Sequence, residues 1–518
     1  MFYVKSLKNK INLPLLTALL IATLLRLIFL SSIPNGFQQD EAAAGYDAYS
    51  LLKTLHTQYG QFLPLFSKTY EGPVTDYDES NYRFLIIPFI YFFGLNEFTT
   101  RLPAALIGIL NILTLYCFAK EYFNQKVAIT AALLLAICPW HIQLSRIAFR
   151  TILFPCVFCF SLFLFFKGLK KPNYLPLSGF AFGCCLYTYT SARVFVPLFL
   201  IGLAWIFRGY LWSNRKQFIL ASIIFILFCI FLFSYWISPE LMKRTNQSIC
   251  LDCIIRNPFK YIIYYLSYFY PGYLFFGQLS SRGTSGNVSL LLAFELITVG
   301  FGLFYLKKEN KPENNVWFIW LLLYPIPSSL TIGADNVRSI IGVPLFSILS
   351  AYGLVQLSDS FKGSRKKFFR LATVLLLTVS LIIFFSTYFV GFSKKPPKSF
   401  QYGIREAINY AEKSSYSCVV VSDRFRRPNT MIIFYTQYPP SVYQRSPIEP
   451  ATMTNYSVGK YTILSIDNSQ VFNQQCLFMV KPDEIPLIMA KGYGVQDVHV
   501  VKDPIGREVI KLIEVKKE

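Results

Sequence analysis

Apolar residues along this chain gather into runs long enough to cross, or nearly cross, a lipid bilayer: 11–31, 101–119, 127–139, 151–166, 174–190, 194–207, 217–237, 288–306, 316–332, 338–357 and 371–391. The pattern predicts about eleven transmembrane helices. A further run, Phe84 to Leu95, is too short to span and is expected to lie along the outer interface. Two long polar stretches, 32–100 and 238–287, fall on one side of the membrane as outer loops. After Lys394-Lys-Pro-Pro-Lys the pattern becomes that of a small soluble domain. Phe400 to Lys413 reads as a helix, Ser417-Cys-Val-Val-Val-Ser-Asp as a buried strand, and Thr430–Tyr435 and Tyr461–Ser465 as further strands. The predicted fold is a polytopic α-helical membrane module over 1–391 followed by a mixed α/β domain over 392–518.

Composition agrees: 54% of the 518 residues are hydrophobic and 15% charged, too apolar for one water-soluble core. A formal charge of +22 raises the question of a nucleic-acid partner, but the basic residues are not gathered on a soluble domain. They cluster in alternate loops: Lys5/Lys8/Lys10, Lys120/Lys126, Lys167/Lys170/Lys171, Arg208/Arg215/Lys216, Lys307/Lys308/Lys311 and Lys362/Arg365/Lys366/Lys367/Arg370. The positive-inside rule makes these loops cytoplasmic. The N-terminus is then inside, the C-terminal domain extracytoplasmic, and the protein multi-pass in the cell (inner) membrane. The first run lacks a small-residue cleavage site and is expected to stay as the first span. Most of the eleven cysteines lie in apolar runs. Cys250/Cys253 in the second outer loop and Cys418/Cys476 in the tail are each plausible disulfides. Zinc would need two more ligands, with no histidine near the Cys250 loop, so no metal site is predicted. The tyrosine-dense segment Tyr261 to Tyr273 suits headgroup level, with an aromatic sugar-stacking platform as the alternative.

Chemistry concentrates on the outer side. Asp40-Glu41-Ala-Ala-Ala-Gly-Tyr-Asp opens a stretch to Leu55 that suits a helix on the membrane surface. Asp40 at its start can cap the helix, with Glu41 favoured by the positive end. Alternatively the pair performs proton chemistry. Asp76, Asp78 and Glu79 add acids to the same loop. Arginines recur at outer span ends: Arg146 and Arg150 in Trp140-His-Ile-Gln-Leu-Ser-Arg-Ile-Ala-Phe-Arg, Arg193 in Tyr187-Thr-Tyr-Thr-Ser-Ala-Arg, and Arg338 in Asp335-Asn-Val-Arg-Ser. Any one of them reads first as a snorkelling or lipid-headgroup residue, but a guanidinium is a planar, always-charged clamp for phosphate, so several on one face with the acids favour a phosphate-bearing lipid substrate. Arg26, inside the first span, requires a partner. His56, His141 and His499 have no metal-ligand spacing.

Three segments carry a family resemblance: Pro34-Asn-Gly-Phe-Gln-Gln-Asp-Glu-Ala-Ala-Ala-Gly-Tyr-Asp-Ala-Tyr-Ser-Leu-Leu, Tyr59-Gly-Gln-Phe-Leu-Pro-Leu and Phe93-Gly-Leu-Asn-Glu-Phe-Thr-Thr-Arg-Leu-Pro. With Pro139-Trp-His-Ile-Gln-Leu-Ser-Arg and the Ser191-Ala-Arg193 turn, they closely resemble bacterial glycosyltransferase family 39. This is the GT-C superfamily, which includes protein O-mannosyltransferases and the aminoarabinose transferase of lipid A. The resemblance implies transfer of one sugar from a polyprenyl-phosphate carrier to a protein, lipid or glycan acceptor at the outer face, with inversion. It implies Asp40 as catalytic base, and the neighbouring acids Glu41 and Asp76 are read as its supporting acids. Arg146, Arg150, Arg193, Arg338, Tyr77, Tyr82 and His141 are the substrate-binding candidates. No cofactor is expected. Partial desolvation and acidic neighbours are expected to raise the basicity of Asp40. Relatives often carry Asp-Tyr-Lys-Pro-Pro-Leu-Tyr where this chain has Asp76-Tyr-Asp-Glu-Ser-Asn-Tyr, without the lysine and prolines. The rival readings are a polyprenyl-linked glycan flippase, which would need a charged path through spans that hold few charges beyond Arg26 and Glu295, and a glycan polymerase or ligase of the same topology.

Overall fold

Each predicted apolar run contains a helix, because a long apolar segment in lipid must satisfy its backbone hydrogen bonds within itself. In the computed structural model, residues 12–71, 74–236, 255–277, 288–331, 333–394, 396, 398–445, 456–467 and 475–517 are described. The first half runs α1 (Leu13–Leu27), α2 (Gln39–Thr54), β1 (Phe66–Glu71), β2 (Val74–Glu79), α3 (Asn81–Phe93), α4 (Glu97–Tyr122), α5 (Gln125–Ile137), α6 (Pro139–Leu144), α7 (Leu153–Gly168), α8 (Leu175–Cys185), α9 (Ala192–Ile206) and α10 (Arg215–Trp236). It continues with α11 (Pro258–Ser267), α12 (Pro271–Phe275), α13 (Glu295–Glu309), α14 (Asn315–Leu323), α15 (Gly342–Ser360) and α16 (Gly363–Phe385).

Among the described residues, Glu97–Tyr122, Arg150–Gly168, Arg215–Phe233 and Gly363–Gly391 are long and apolar enough to cross a membrane. The first two form the buried centre, while the last two turn Ile219, Ile223, Leu371 and Leu375 outward. Exposed apolar stripes of this kind suit lipid as solvent. The thirteen residues of α3 reach only about 20 Å, short of the hydrocarbon thickness. Helices α13 and α15 touch backbone to backbone: a Cβ on Gly353 would stand 2.0 Å from the Thr298 carbonyl oxygen, so only glycine fits the crossing. Helix α11 exposes Phe259, Ile263 and Leu266, whereas Tyr268 and Tyr273 of the same tyrosine-rich stretch are buried.

The tail folds as a six-stranded sheet in the order β4-β5-β3-β6-β8-β7. Its strands are β3 (Val419–Ser422), β4 (Tyr456–Val458), β5 (Tyr461–Leu464), β6 (Leu477–Val480), β7 (Tyr493–Lys502) and β8 (Glu508–Lys517). The central β3 runs parallel to β5 and β6, with antiparallel edges. Helices α17 (Ile404–Lys413), α18 (Pro428–Tyr435) and α19 (Pro440–Tyr443) join it. The strand predicted at Thr430–Tyr435 is therefore helix. Pro428 supplies a first-turn start, and a short apolar run buried on every side carries no period to separate strand from helix. Cys418 and Cys476, just before the paired β3 and β6, are disulfide-bonded. Cys250 and Cys253 lie outside the described residues.

The β1/β2 hairpin in the first outer loop is not legible in its polar sequence. Its register pairs Lys68 with Tyr77, Thr69 with Asp76 and Phe66 with Glu79.

Candidate active site

Two buried arginines build the approach to Asp40. The Arg146 guanidinium donates to the carbonyls of Leu25 (2.7 Å), Ile28 (2.8 Å), Phe29 (3.2 Å) and Ile33 (2.9 Å). Arg101 donates to Leu30 (3.2 Å), Pro34 (3.1 Å) and Gly36 (2.8 Å), and grips Glu41 through Nε to Oε1 at 2.8 Å and Nη2 to Oε2 at 3.0 Å. The chain leaving α1 thus has its loose carbonyls collected by two cations, which removes the freedom a polar loop would otherwise keep.

Helix α2 begins where that loop ends. Its cap is Gln38, whose N–H donates to Glu41 Oε2 at 3.1 Å, so the capping expected of Asp40 passes to its neighbours. Glu41 also accepts from the Ala148 N–H at 2.9 Å and is wholly buried. Both of its oxygens are engaged, by Arg101, the Gln38 N–H and the Ala148 N–H, so it anchors the start of the helix. Asp40, one residue earlier, keeps 55% of its side chain exposed. Its carboxylate is thus about half covered by protein. Nor does α2 lie on a surface: Ala42, Tyr46, Ala48 and Leu51 are buried between the membrane helices and the tail domain. A Cβ on Gly45 would meet Phe434 and the Thr100 hydroxyl, each at 2.7 Å.

The other acids of the loop are bound into a chain of ion pairs. Asp47 accepts from Arg83 Nε at 2.8 Å and from the Gln58 N–H at 3.0 Å. Asp78 meets Arg150 at 2.6 Å, and Glu79 meets Arg150 and Arg193, each at 2.5 Å. Burial pushes the Glu79 carboxyl up, but the Arg193 and Arg150 guanidiniums outweigh it and hold the group below its usual range. Asp76 is nine-tenths buried on β2, with Tyr77 beside it half-buried. Arg146, Arg150 and Arg193, predicted as phosphate contacts, are thus already engaged by carbonyls or carboxylates.

Tyr82 and His141 also turn inward. The Tyr82 hydroxyl donates to the Thr100 carbonyl at 2.9 Å. His141 lies between Arg26 (2.7 Å) and Asn111 (3.0 Å), and so supplies, with the Ala136 and Leu135 carbonyls, the partner that Arg26 needed. Arg338 differs. Its guanidinium donates to the Thr331 hydroxyl, and among the described residues it pairs with no carboxylate. Next to it, Asn336 is fully buried with both amide atoms unpartnered, while its carbonyl accepts from the Trp140 indole of α6 at 2.8 Å.

The tail closes over α2. Phe37 N–H donates to Phe400, the Tyr46 hydroxyl to the Tyr438 carbonyl at 2.7 Å, and Gln444 bonds Ser50, Thr54, His56 and Thr57. Glu97 accepts from Tyr435 at 2.6 Å and Arg405 at 3.0 Å. Arg427, from the turn before α18, sets Nη1 3.4 Å from Asp40 Oδ1. Sequence reasoning missed it: a basic Arg426-Arg427-Pro428 stretch distant in the chain carries no local sign of this contact. Among the described residues no three His, Cys, Asp or Glu side chains converge as a metal site.

The family model for dolichyl-phosphate-mannose-protein mannosyltransferase matches residues 82–236. The match spans less than a third of the chain; with the helical fold it supports a GT-C, family-39-like assignment for this protein. Its structure is similar to that of ArnT from Cupriavidus metallidurans in the apo state, with 14% identity, 97% of each chain covered and a TM-score of 0.55. The same enzyme bound to undecaprenyl phosphate matches with 13% identity over 96% of this chain and 97% of that one, at a TM-score of 0.53. The oligosaccharyltransferase AglB from Archaeoglobus fulgidus, in complex with an inhibitory peptide and a dolichol-phosphate, matches at 14% identity and a TM-score of 0.50, covering 82% of this chain and 63% of its own. At these identities the structural likeness speaks for the fold. No curated protein sequence matches significantly.

Proposed function

We propose that this protein transfers a single sugar from a polyprenyl-phosphate carrier to an acceptor hydroxyl on the outer face of the cell membrane, inverting the anomeric carbon, with Asp40 as general base. The observation that carries the reading is Asp40 itself: a half-exposed carboxylate on a helix start made rigid by the Glu41–Arg101 pair. The acceptor hydroxyl gives its proton to Asp40 as its oxygen bonds the anomeric carbon. The bond from that carbon to the carrier oxygen breaks, with its electron pair going to the phosphate. The leaving group is a lipid phosphate and needs no general acid. Arg338, which pairs with no carboxylate among the described residues, is the phosphate contact among the arginines named from the sequence. The carrier class is supported by the undecaprenyl phosphate and dolichol-phosphate held by the structural neighbours. The bonded Cys418–Cys476 pair supports an oxidising, extracytoplasmic compartment for the tail.

The test is sugar release from labelled polyprenyl-phosphate monosaccharides by purified protein in lipid, wild type beside Asp40→Asn. Release by the wild type alone supports donor class and base together. Release only from an oligosaccharide diphosphate carrier would replace the reading with a glycan ligase, and release from neither would favour a transporter.

A further inference from the structure

Among the described residues Arg427 is the cation that pairs with the proposed base, and it comes from the tail domain. Its contact to Asp40 is loose, 3.4 Å against the roughly 2.7–2.9 Å of a well-made charged pair. Among the described residues no other group bonds its guanidinium, so most of the donor fork is unused. The contrast with Arg101, Arg146, Arg150 and Arg193 is sharp, since each of those is closed by several carbonyls or carboxylates.

Its backbone gives a second, independent sign. Arg427 adopts φ 46 and ψ 60, the left-handed region, which costs a residue with a Cβ. The following Pro428 disfavours the ordinary helical alternative at this position. Tertiary contacts hold the strained turn: α18 is pinned to α2 and α4 through Phe434 at Gly45 and Tyr435 at Glu97. Strain maintained in this way aims one side chain at one place, and that place is Asp40.

We propose that Arg427 is a substrate-contact residue that exchanges the Asp40 carboxylate for the donor phosphate during transfer. The inference rests on the function proposed above and adds a group from the tail domain to the site. Before reaction the donor phosphodiester carries one negative charge and Asp40 another. As the acceptor proton moves to Asp40, its charge disappears, and with it the attraction for Arg427. The C–O bond then breaks toward phosphate, which leaves as a monoester with one more negative charge. The guanidinium is released by one event and required by the other, so the two are electrostatically coupled. The tail domain is thereby part of the catalytic site.

The test uses the full chain in lipid nanodiscs. Polyprenyl phosphate binding is read by native mass spectrometry for wild type, Arg427→Gln and Arg427→Lys, alongside donor KM, acceptor KM and kcat where transfer is observed. The Gln variant is expected to lose about 100-fold in kcat, the scale of one charge-stabilising donor, and to bind polyprenyl phosphate more weakly. The Lys variant should recover part of both, which a purely structural role would not produce. If the Gln variant fails to fold, Arg427→Asn, whose residue type tolerates the left-handed turn, takes its place. Unchanged polyprenyl phosphate binding and kcat would overturn the proposal. A shift confined to acceptor KM would overturn it too, and would assign Arg427 to an anion on the acceptor. Absence of transfer in the wild type would count against the proposed function, while the binding comparison would still decide the contact.

Discussion

Glu41 and Arg101 form a two-point ion pair, 2.8 and 3.0 Å long, with both side chains excluded from solvent. Breaking one side leaves a buried charge unpaired, which typically costs about 3–5 kcal/mol. Arg101→Ala is therefore expected to lower the thermal midpoint sharply and to reduce the folded yield. The check is a melting curve in detergent. An unchanged midpoint would mean the pair does not hold the loop before α2.

Asp40→Asn is expected to behave oppositely. The side chain is exposed and the cap belongs to Gln38, so the midpoint should remain within about 0.5 kcal/mol of wild type while transfer falls by about 10²–10⁴. Parallel loss of stability and activity would point to a structural role instead.

Glu79 sets a pH dependence. Its carboxyl is held below the ordinary 4.5, so its unfolded form binds a proton more readily than its folded form. The stability it contributes is complete above about 4.5 and is lost as pH falls through the lower folded value. Melting curves from pH 7 to pH 3 should show a steeper acid decline in wild type than in Glu79→Gln.

Reduction of Cys418–Cys476, or Cys418→Ser, is expected to destabilise the tail by about 2–5 kcal/mol. Thermal melts with and without reductant measure it, and proteolysis of the tail should accelerate in step.

Gly45→Val inserts methyl groups where even a Cβ would stand 2.7 Å from Phe434. Overpacking of about 1–3 kcal/mol should spread α2 from α18. Transfer should fall although no reacting group changes, because Arg427 rides on that helix. Activity retained at wild-type level would separate the tail from the reaction.

The sequence made the helical frame legible because hydrophobic runs are local: every run predicted from 11–31 through 371–391 contains a helix in the structure. The Asp40-Glu41 pair was legible for the same reason, as a charge step at the end of an apolar run. Thr430–Tyr435 was misread because burial on all sides erases the period that separates strand from helix. The β1/β2 hairpin was missed because a polar segment of mixed residues carries no alternation.

What the sequence determined by itself was the solvent of each segment, hence the helices, the loops between them and the separate tail, since burial preference resides in each residue type. Tertiary structure alone decided which charges are spent. Glu41 meets Arg101 across 60 residues, Arg146 meets the Leu25 carbonyl across 121, and Asp40 meets Arg427 across 387. An arginine is the same cation in every sequence context. Whether it holds a carbonyl, cancels a carboxylate or waits for a phosphate depends on which distant oxygens the fold brings within about 3 Å.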